Sequence, residues 1–384
     1  MTDLDQQVSI DRVNLLGLTR NQLENLVAEM GEKPFRARQL MKWMYKRAVG
    51  NFDEMTDLAK SFRQRLALSA EIRVPTVTLR QHSSDGTRKW LLNVDRGDSF
   101  IPQAIEMVYI PEPGRGTLCI SSQVGCAMDC SFCSTAQQGF NRNLTAAEIV
   151  GQVWLANREL LGDAAPSTDT AERIITNVVF MGMGEPLANY RNVLPATEIL
   201  MDDLGFDISR RRVTVSTSGL VPQMMKLAEE TNCALAVSLH APNDDLRNQL
   251  VPINRKHNIA ELLDACWYYL HRQNARSITF EYVMLDGIND QIEHARELVS
   301  LLKHKPAKVN LIPFNPFPNT QYTRSPADVI ERFRDYLNNN GVIATTRRTR
   351  GDDIDAACGQ LVGRVQNRTT VRLGSKLVAV AVQA

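Results

Sequence analysis

The chain has 384 residues, 43% apolar and 23% charged, the composition of a globular protein with room for a large core and one or two smaller modules. Lys and Arg total 44 against 43 Asp and Glu, so a net charge of +1 gives no global attraction to nucleic acid, and any such contact must come from local basic surfaces. No apolar stretch approaches the roughly 20 residues of a membrane span, and the opening MTDLDQQVSIDRVN lacks the basic-then-apolar pattern of a secretory signal. A cytoplasmic location is expected, with no membrane partner.

Residues 1–70 read as a helical accessory domain. Thr19 caps a helix through NQLENLVAEM, Pro34 opens a second through FRARQLMKWMYKRAV, and a third lies around Asp57–Leu68. Residues 33–49 hold six basic and no acidic side chains, and Arg38, Lys42 and Lys46 at i, i+4 spacing form one line. That line is either a solvated face or a phosphate-contacting stripe. Residues 71–112 read as a β-meander: TVTLRQH and TRKWLLNV around the turn SSDG, then AIEMVYI.

From residue 113 to 350 the pattern changes. The β-rich runs TLCISSQV, ITNVVFMG, RVTVSTS, ALAVSLH, ITFEYVML and KVNLIPF alternate with amphipathic helices. Strands alternating with helices imply a parallel sheet, and six such units suit a partial TIM-type (β/α)6 barrel. The fold class is therefore α/β. The polar segment 162–173 is expected to be a surface excursion. A further helix and the strand VIATTRR lead to a loop, TRGDDIDAACGQL, and a basic tail over 351–384.

In the cytoplasm structural disulfides are rare, so the seven cysteines are core thiols or reagents. Cys126, Cys130 and Cys133 crowd into one eight-residue loop after the first barrel strand. A 4Fe–4S cluster held by three cysteines keeps one iron without a protein ligand, able to chelate a small molecule. Zinc competes, since Cys119 or Cys358 could complete a tetrahedral set. Gly184 and Glu185 end the second strand, Ser216 the third and Ser238-Leu239-His240 the fourth, while Asn315 follows the sixth. Parallel barrels place their active sites at these C-terminal strand ends. Singly, a Ser or Asn there is more often a turn or cap residue. Cys233 and Cys266 read as inert core thiols.

The Cys-x3-Cys-x2-Cys spacing with Phe132, and Gly182-Met183-Gly184-Glu185-Pro186, resemble the signatures of the radical S-adenosylmethionine superfamily. Met183 is a departure from the superfamily's GGEP motif that keeps Gly-Glu-Pro. Together with SLHAPND, NLIPFNPFP and RTRGDDIDAACGQL, they resemble the RlmN/Cfr family of RNA methyltransferases over nearly the whole chain. The resemblance implies methylation of carbon-2 of an adenine in 23S rRNA, and of the adenine 3′ of the anticodon in some tRNAs. Carbon-8 of the ribosomal adenine is the alternative.

The resemblance also implies cofactors and roles. One 4Fe–4S cluster on Cys126, Cys130 and Cys133 would be joined by two S-adenosylmethionine molecules per turnover, one as methyl donor and one as radical source. An electron donor such as flavodoxin would supply the reducing equivalent. Gly184, Glu185, Ser216, Ser238, Leu239, His240 and Asn315 would bind S-adenosylmethionine. Cys358 would carry the methyl group and form an adduct with RNA, and Cys119 would release it through a transient disulfide. Glu106, in AIEMVYI, matches the family's base, although alternation on a strand would allow it to face solvent. Arg347, Arg348 and Arg350 are expected at RNA phosphates, whereas Arg210–Arg212 lie at a strand's N-terminal end, away from the active face.

Overall fold

A computed structural model describes residues 12–94, 103–162, 173–357, 359–361 and 363. Most of the expected surface excursion, most of the basic tail and Cys358 itself lie outside the described residues. Three short helices open the chain: α1 (Arg20–Glu29), α2 (Phe35–Met41) and α3 (Lys60–Ser69). Thr19 caps α1 as expected, in a reciprocal box with Gln22. Beyond α2 the chain continues as a π-turn over Lys42–Lys46. Its i→i+5 bonding rotates Lys46 away from i, i+4 alignment, whereas Arg38 and Lys42 keep α-helical spacing and are exposed. Arg38 approaches Glu24 at 3.5 Å and Lys46 approaches Asp207 at 4.0 Å.

Ten strands form one sheet, each hydrogen-bonded to its sequence neighbours. They are β1 (Thr76–His82), β2 (Arg88–Asn93), β3 (Ala104–Glu112), β4 (Arg115–Cys119), β5 (Asn177–Phe180), β6 (Val213–Thr217), β7 (Ala234–Ser238), β8 (Ile278–Met284), β9 (Ala307–Pro313) and β10 (Ile343–Thr346). Strands β1 to β4 pair antiparallel, and β4 to β10 pair parallel throughout. The chain therefore adds a seventh parallel strand, β10, to the six barrel strands read from the sequence. The meander is continuous with the barrel, because β3 pairs directly with β4.

After Cys133 comes a single turn, α4 (Ser134–Gln137), and then α5 (Ala146–Leu161) leads to β5. The remaining crossovers are α6 (Tyr190–Met201) and α7 (Val221–Glu230), then α8 (Asp244–Leu250) with α9 (Ile259–Gln273), α10 (Ile292–Leu302) and α11 (Ala327–Asn339). Strands covered on both faces need apolar side chains on both. Leu235 and Ala236 of β7 and Tyr282 and Val283 of β8, consecutive residues on opposite faces, are accordingly buried. The N-terminal helices dock on the barrel's outer layer: Trp154 of α5 donates its indole N–H to the Met44 carbonyl at 2.7 Å, and Arg20 pairs with Asp202 and Asp203. Among the described residues no helix is long and apolar enough to cross a membrane.

Candidate active site

The C-terminal ends of the parallel strands surround one cavity, with about 1030 Å³ of space counting its open mouth. Cys126, Cys130 and Cys133 line it, and so do Gly184, Glu185, Ser216, Ser238, His240 and Asn315. These residues span positions 126 to 315, and the strand ends alone bring them together. Gly359, next to Cys358 in sequence, lines the same cavity.

The cysteine loop hangs from a buried polar frame. Gln152 of α5 accepts from the Ser121 amide at 2.8 Å and donates to the Ser121 carbonyl at 2.9 Å. The Met183 carbonyl accepts from the amides of Ser122 (2.9 Å) and Gln123 (3.2 Å), so the inserted methionine is a core residue that ties two loops together. Gly184 sits at φ +97°, and a Cβ there would come within 2.5 Å of Gln123 Cβ. Only glycine fits that approach.

Burial, and after it the neighbouring thiols, push Cys126 and Cys130 well above the usual cysteine range. Such thiols yield their protons when cationic iron binds. Among the described residues, no three His, Cys, Asp or Glu side chains lie close enough to share one metal ion. A 4Fe–4S cluster asks for less, because each cysteine takes a different iron. Three thiols around one cavity fit that group.

Glu185 is 4% exposed. Its carboxylate accepts from the Leu187 amide (3.1 Å), the Ser218 amide (2.8 Å) and the Ser218 hydroxyl (2.8 Å). Burial raises its pKa, opposed by the Ser218 bonds. An incoming ammonium would restore charge balance there. His240 is buried at φ +58°, edge-on to Phe132 with centroids 4.6 Å apart. Its Nδ1 accepts from the Val283 amide at 3.0 Å, which assigns the proton to Nε2. Burial, and then the Arg247 charge, pull its pKa down to about 3, so the ring is a neutral donor. Asn315 is held by Arg324, which donates to its Oδ1 at 2.8 Å.

Three expected site residues do not line the cavity. The Leu239 side chain is in the core, and its backbone amide donates to the Glu281 carbonyl at 3.0 Å. Cys119, at the end of β4, is 4% exposed and pairs across the sheet with Val108. Glu106 is 7% exposed and 3.4 Å from the Lys89 ammonium, so it does not face solvent. Cross-strand partners and alternate residues share a sheet face. Glu106, Val108 and Cys119 therefore share one face, together with Thr117, whose side chain lines the barrel interior.

Several residues were not legible beforehand. Arg247 of α8 is fully buried and donates to the carbonyls of Leu239 (3.1 Å), Ser218 (2.6 Å) and Ser238 (3.0 Å), and to Asn254 Oδ1 (2.7 Å). It ties the ends of β6 and β7 to the segment that also supports the cysteine loop, where the Ser131 amide donates to the Leu250 carbonyl at 3.2 Å. Nothing in DDLRNQL distinguishes that arginine from a solvated one. Ser218 stands two residues beyond Ser216, and Glu281 of β8 is buried and accepts from Asn310 at 2.8 Å. Arg347 lines the cavity, Arg348 and Arg350 line an adjoining one, and Arg210–Arg212 are exposed at the opposite strand ends.

Comparison with known proteins covers both halves of the chain. The model for the ribosomal RNA large subunit methyltransferase N-terminal domain matches residues 13–72, and that for the radical SAM superfamily matches residues 120–299. The dual-specificity RNA methyltransferase RlmN of Marinobacter nauticus is 54% identical over 371 residues, 96% of this chain and 97% of that protein. A crystal structure of a radical SAM methyltransferase from Sphaerobacter thermophilus aligns with a TM-score of 0.82 and 44% identity, covering 91% of this chain and 99% of its own.

Proposed function

Because the chain belongs to the RlmN family of radical S-adenosylmethionine RNA methyltransferases, we propose that it methylates carbon-2 of an adenine in 23S rRNA and of the adenine 3′ of the anticodon in some tRNAs. The observation that carries this reading is the shared cavity. Three thiols, the Glu185 carboxylate and the backbone beside Cys358 meet in one space at the mouth of the barrel.

Carbon-2 of adenine is electron-poor and has no acidic proton, so it offers no nucleophile to a sulfonium methyl group. When bound, the cluster supplies the electron that cleaves S-adenosylmethionine and opens a radical route. Cys126, Cys130 and Cys133 hold that cluster, fed by a flavodoxin-type donor. Glu185, anchored by Ser218, holds the ammonium of S-adenosylmethionine. Gly184, Ser216, Ser238, Leu239, His240 and Asn315 complete the pocket, with His240 donating through Nε2 and Leu239 contributing backbone alone.

Two S-adenosylmethionine molecules are used per turnover. The Cys358 thiolate takes the methyl group of the first, forming a carbon–sulfur bond as the sulfonium bond breaks. The second would supply the 5′-deoxyadenosyl group that takes one hydrogen atom from that methyl, so that the carbon bonds to the ring. One electron would pass back to the cluster as Glu106 accepts the displaced ring proton. The Cys119 thiolate then attacks the sulfur of Cys358: a transient disulfide forms as the carbon–sulfur bond breaks, and the released carbon takes up a proton to become the methyl group on RNA. Cys119 is buried on the inner sheet face, the face to which the Lys89 ammonium ties the cysteine loop through the Asp355 carbonyl.

Anaerobic assays with reduced enzyme test these roles. Cys358→Ala is expected to abolish methyl transfer, and Cys119→Ala to accumulate a covalent RNA–protein adduct. Full turnover by the Cys358→Ala enzyme would refute the route. Zinc without iron or sulfide in anaerobically purified protein would refute the cluster.

A further inference from the structure

Lys89 is 6% exposed, an unusual position for an ammonium. It lies on β2 opposite Val108, and so on the sheet face that carries Glu106 and Cys119. Its Nζ is 3.4 Å from Glu106 Oε1 and donates to the Asp355 carbonyl at 3.2 Å. A desolvated cation persists only with partners of this kind. Asp355 is three residues before Cys358, so one side chain joins the base of the proposed reaction to the loop bearing the methyl carrier.

The same hairpin grips that loop upstream. The Gly351 amide donates to Asp85 Oδ2 at 3.1 Å, the Ser84 amide donates to Asp353 Oδ2 at 3.1 Å, and Arg350 lies 3.8 Å from Asp85. Gly351 sits at φ +62°, and a Cβ there would meet Thr87 Cγ2 at 2.9 Å, so the close approach needs glycine. Beyond Cys358 the loop is tied to the turn that follows Cys133. The Ser134 amide donates to the Gly359 carbonyl at 2.9 Å and the Thr135 hydroxyl to the Leu361 carbonyl at 2.7 Å.

We infer that Lys89 is a positioning residue for methyl transfer: its ammonium holds the Glu106 carboxylate and the cysteine loop in register. The inference rests on the roles proposed for Glu106 and Cys358. A lysine suits the task because three N–H donors on one compact charge reach a carboxylate and a carbonyl together. Removing it lets base and loop settle independently, which affects the reacting complex more than RNA capture.

The test uses full-length, cluster-loaded Lys89→Met enzyme with two readouts. Amide hydrogen exchange across residues 350–357 is expected to rise at least about tenfold, because the Ile354 and Ala356 amides that donate to the Gly351 carbonyl lose their support. The kcat for RNA methylation is expected to fall on the order of 100-fold, with KM for RNA within about threefold. Lys89→Gln, which keeps donors without charge, is expected to lose about tenfold in kcat and serves if the methionine variant does not fold. Unchanged loop exchange, or kcat within about twofold of wild type, overturns the inference. A wild-type enzyme that methylates no RNA overturns the functional reading instead, and the exchange arm still reports whether Lys89 holds the loop.

Discussion

Replacing Arg247 with methionine removes a guanidinium that no solvent reaches while keeping most of the side chain's volume. The wild-type group satisfies the carbonyls of Ser218, Ser238 and Leu239 and the side-chain oxygen of Asn254. Burial lowers its pKa only to about 10, so it is charged at neutral pH. Each buried acceptor that loses its donor costs about 1–3 kcal/mol. Relief from burying the charge offsets part of this, and single removals from such networks cost about 3–5 kcal/mol net. The shorter, single-headed ammonium of an Arg247→Lys variant would reach fewer of the four acceptors, so about half that loss is expected. Ser218, whose carbonyl Arg247 holds, also donates twice to Glu185, so S-adenosylmethionine binding is expected to weaken about tenfold, which is about 1.4 kcal/mol. Urea denaturation followed by tryptophan fluorescence gives the first quantity, and equilibrium dialysis with labelled S-adenosylmethionine the second. A stability change below about 1 kcal/mol with unaltered affinity would refute the network's role.

Other outcomes follow from the same geometry. Glu185→Gln puts an amide where three donors already point, and S-adenosylmethionine affinity by dialysis is expected to drop at least about tenfold. His240 is neutral in the fold with its pKa near 3, against about 6.5 when unfolded. Its contribution is whole above pH 6.5 and declines as pH falls toward 3, by about 2 kcal/mol at pH 5. His240→Asn, which tolerates the positive φ, is expected to show that much less loss between pH 7 and pH 5 in denaturation curves. Gly184→Ala strains a left-handed residue against Gln123 and is expected to lower stability by about 2 kcal/mol or more, read from the melting midpoint.

Local sequence signals carried much of the site. The Cys126–Cys133 spacing, Gly-Glu-Pro and the strand-end serines are written in consecutive residues, and strand alternation with helices placed them at one barrel mouth. What depends on distant neighbours stayed hidden. AIEMVYI lies in a strand buried on both faces, so alternation could not say where Glu106 points; its partner Lys89 comes from the adjacent strand. Arg247 reads as a surface residue of a short polar helix until the carbonyls of two other strand ends converge on it. Lys46 leaves the basic line for a backbone reason, since nothing in KWMYK announces a π-turn. The union of the meander with the barrel sheet depends on the pairing of β3 with β4, a choice that pattern alone leaves open.

The central claim is the fate of one methyl group. Mass spectrometry of 23S rRNA and tRNA, after anaerobic incubation with reduced enzyme and S-adenosylmethionine, locates it directly. The expected result is a new methyl on adenine carbon-2, accompanied by one 5′-deoxyadenosine per transfer. A methyl at carbon-8, or RNA unmodified while S-adenosylmethionine is cleaved, would contradict it.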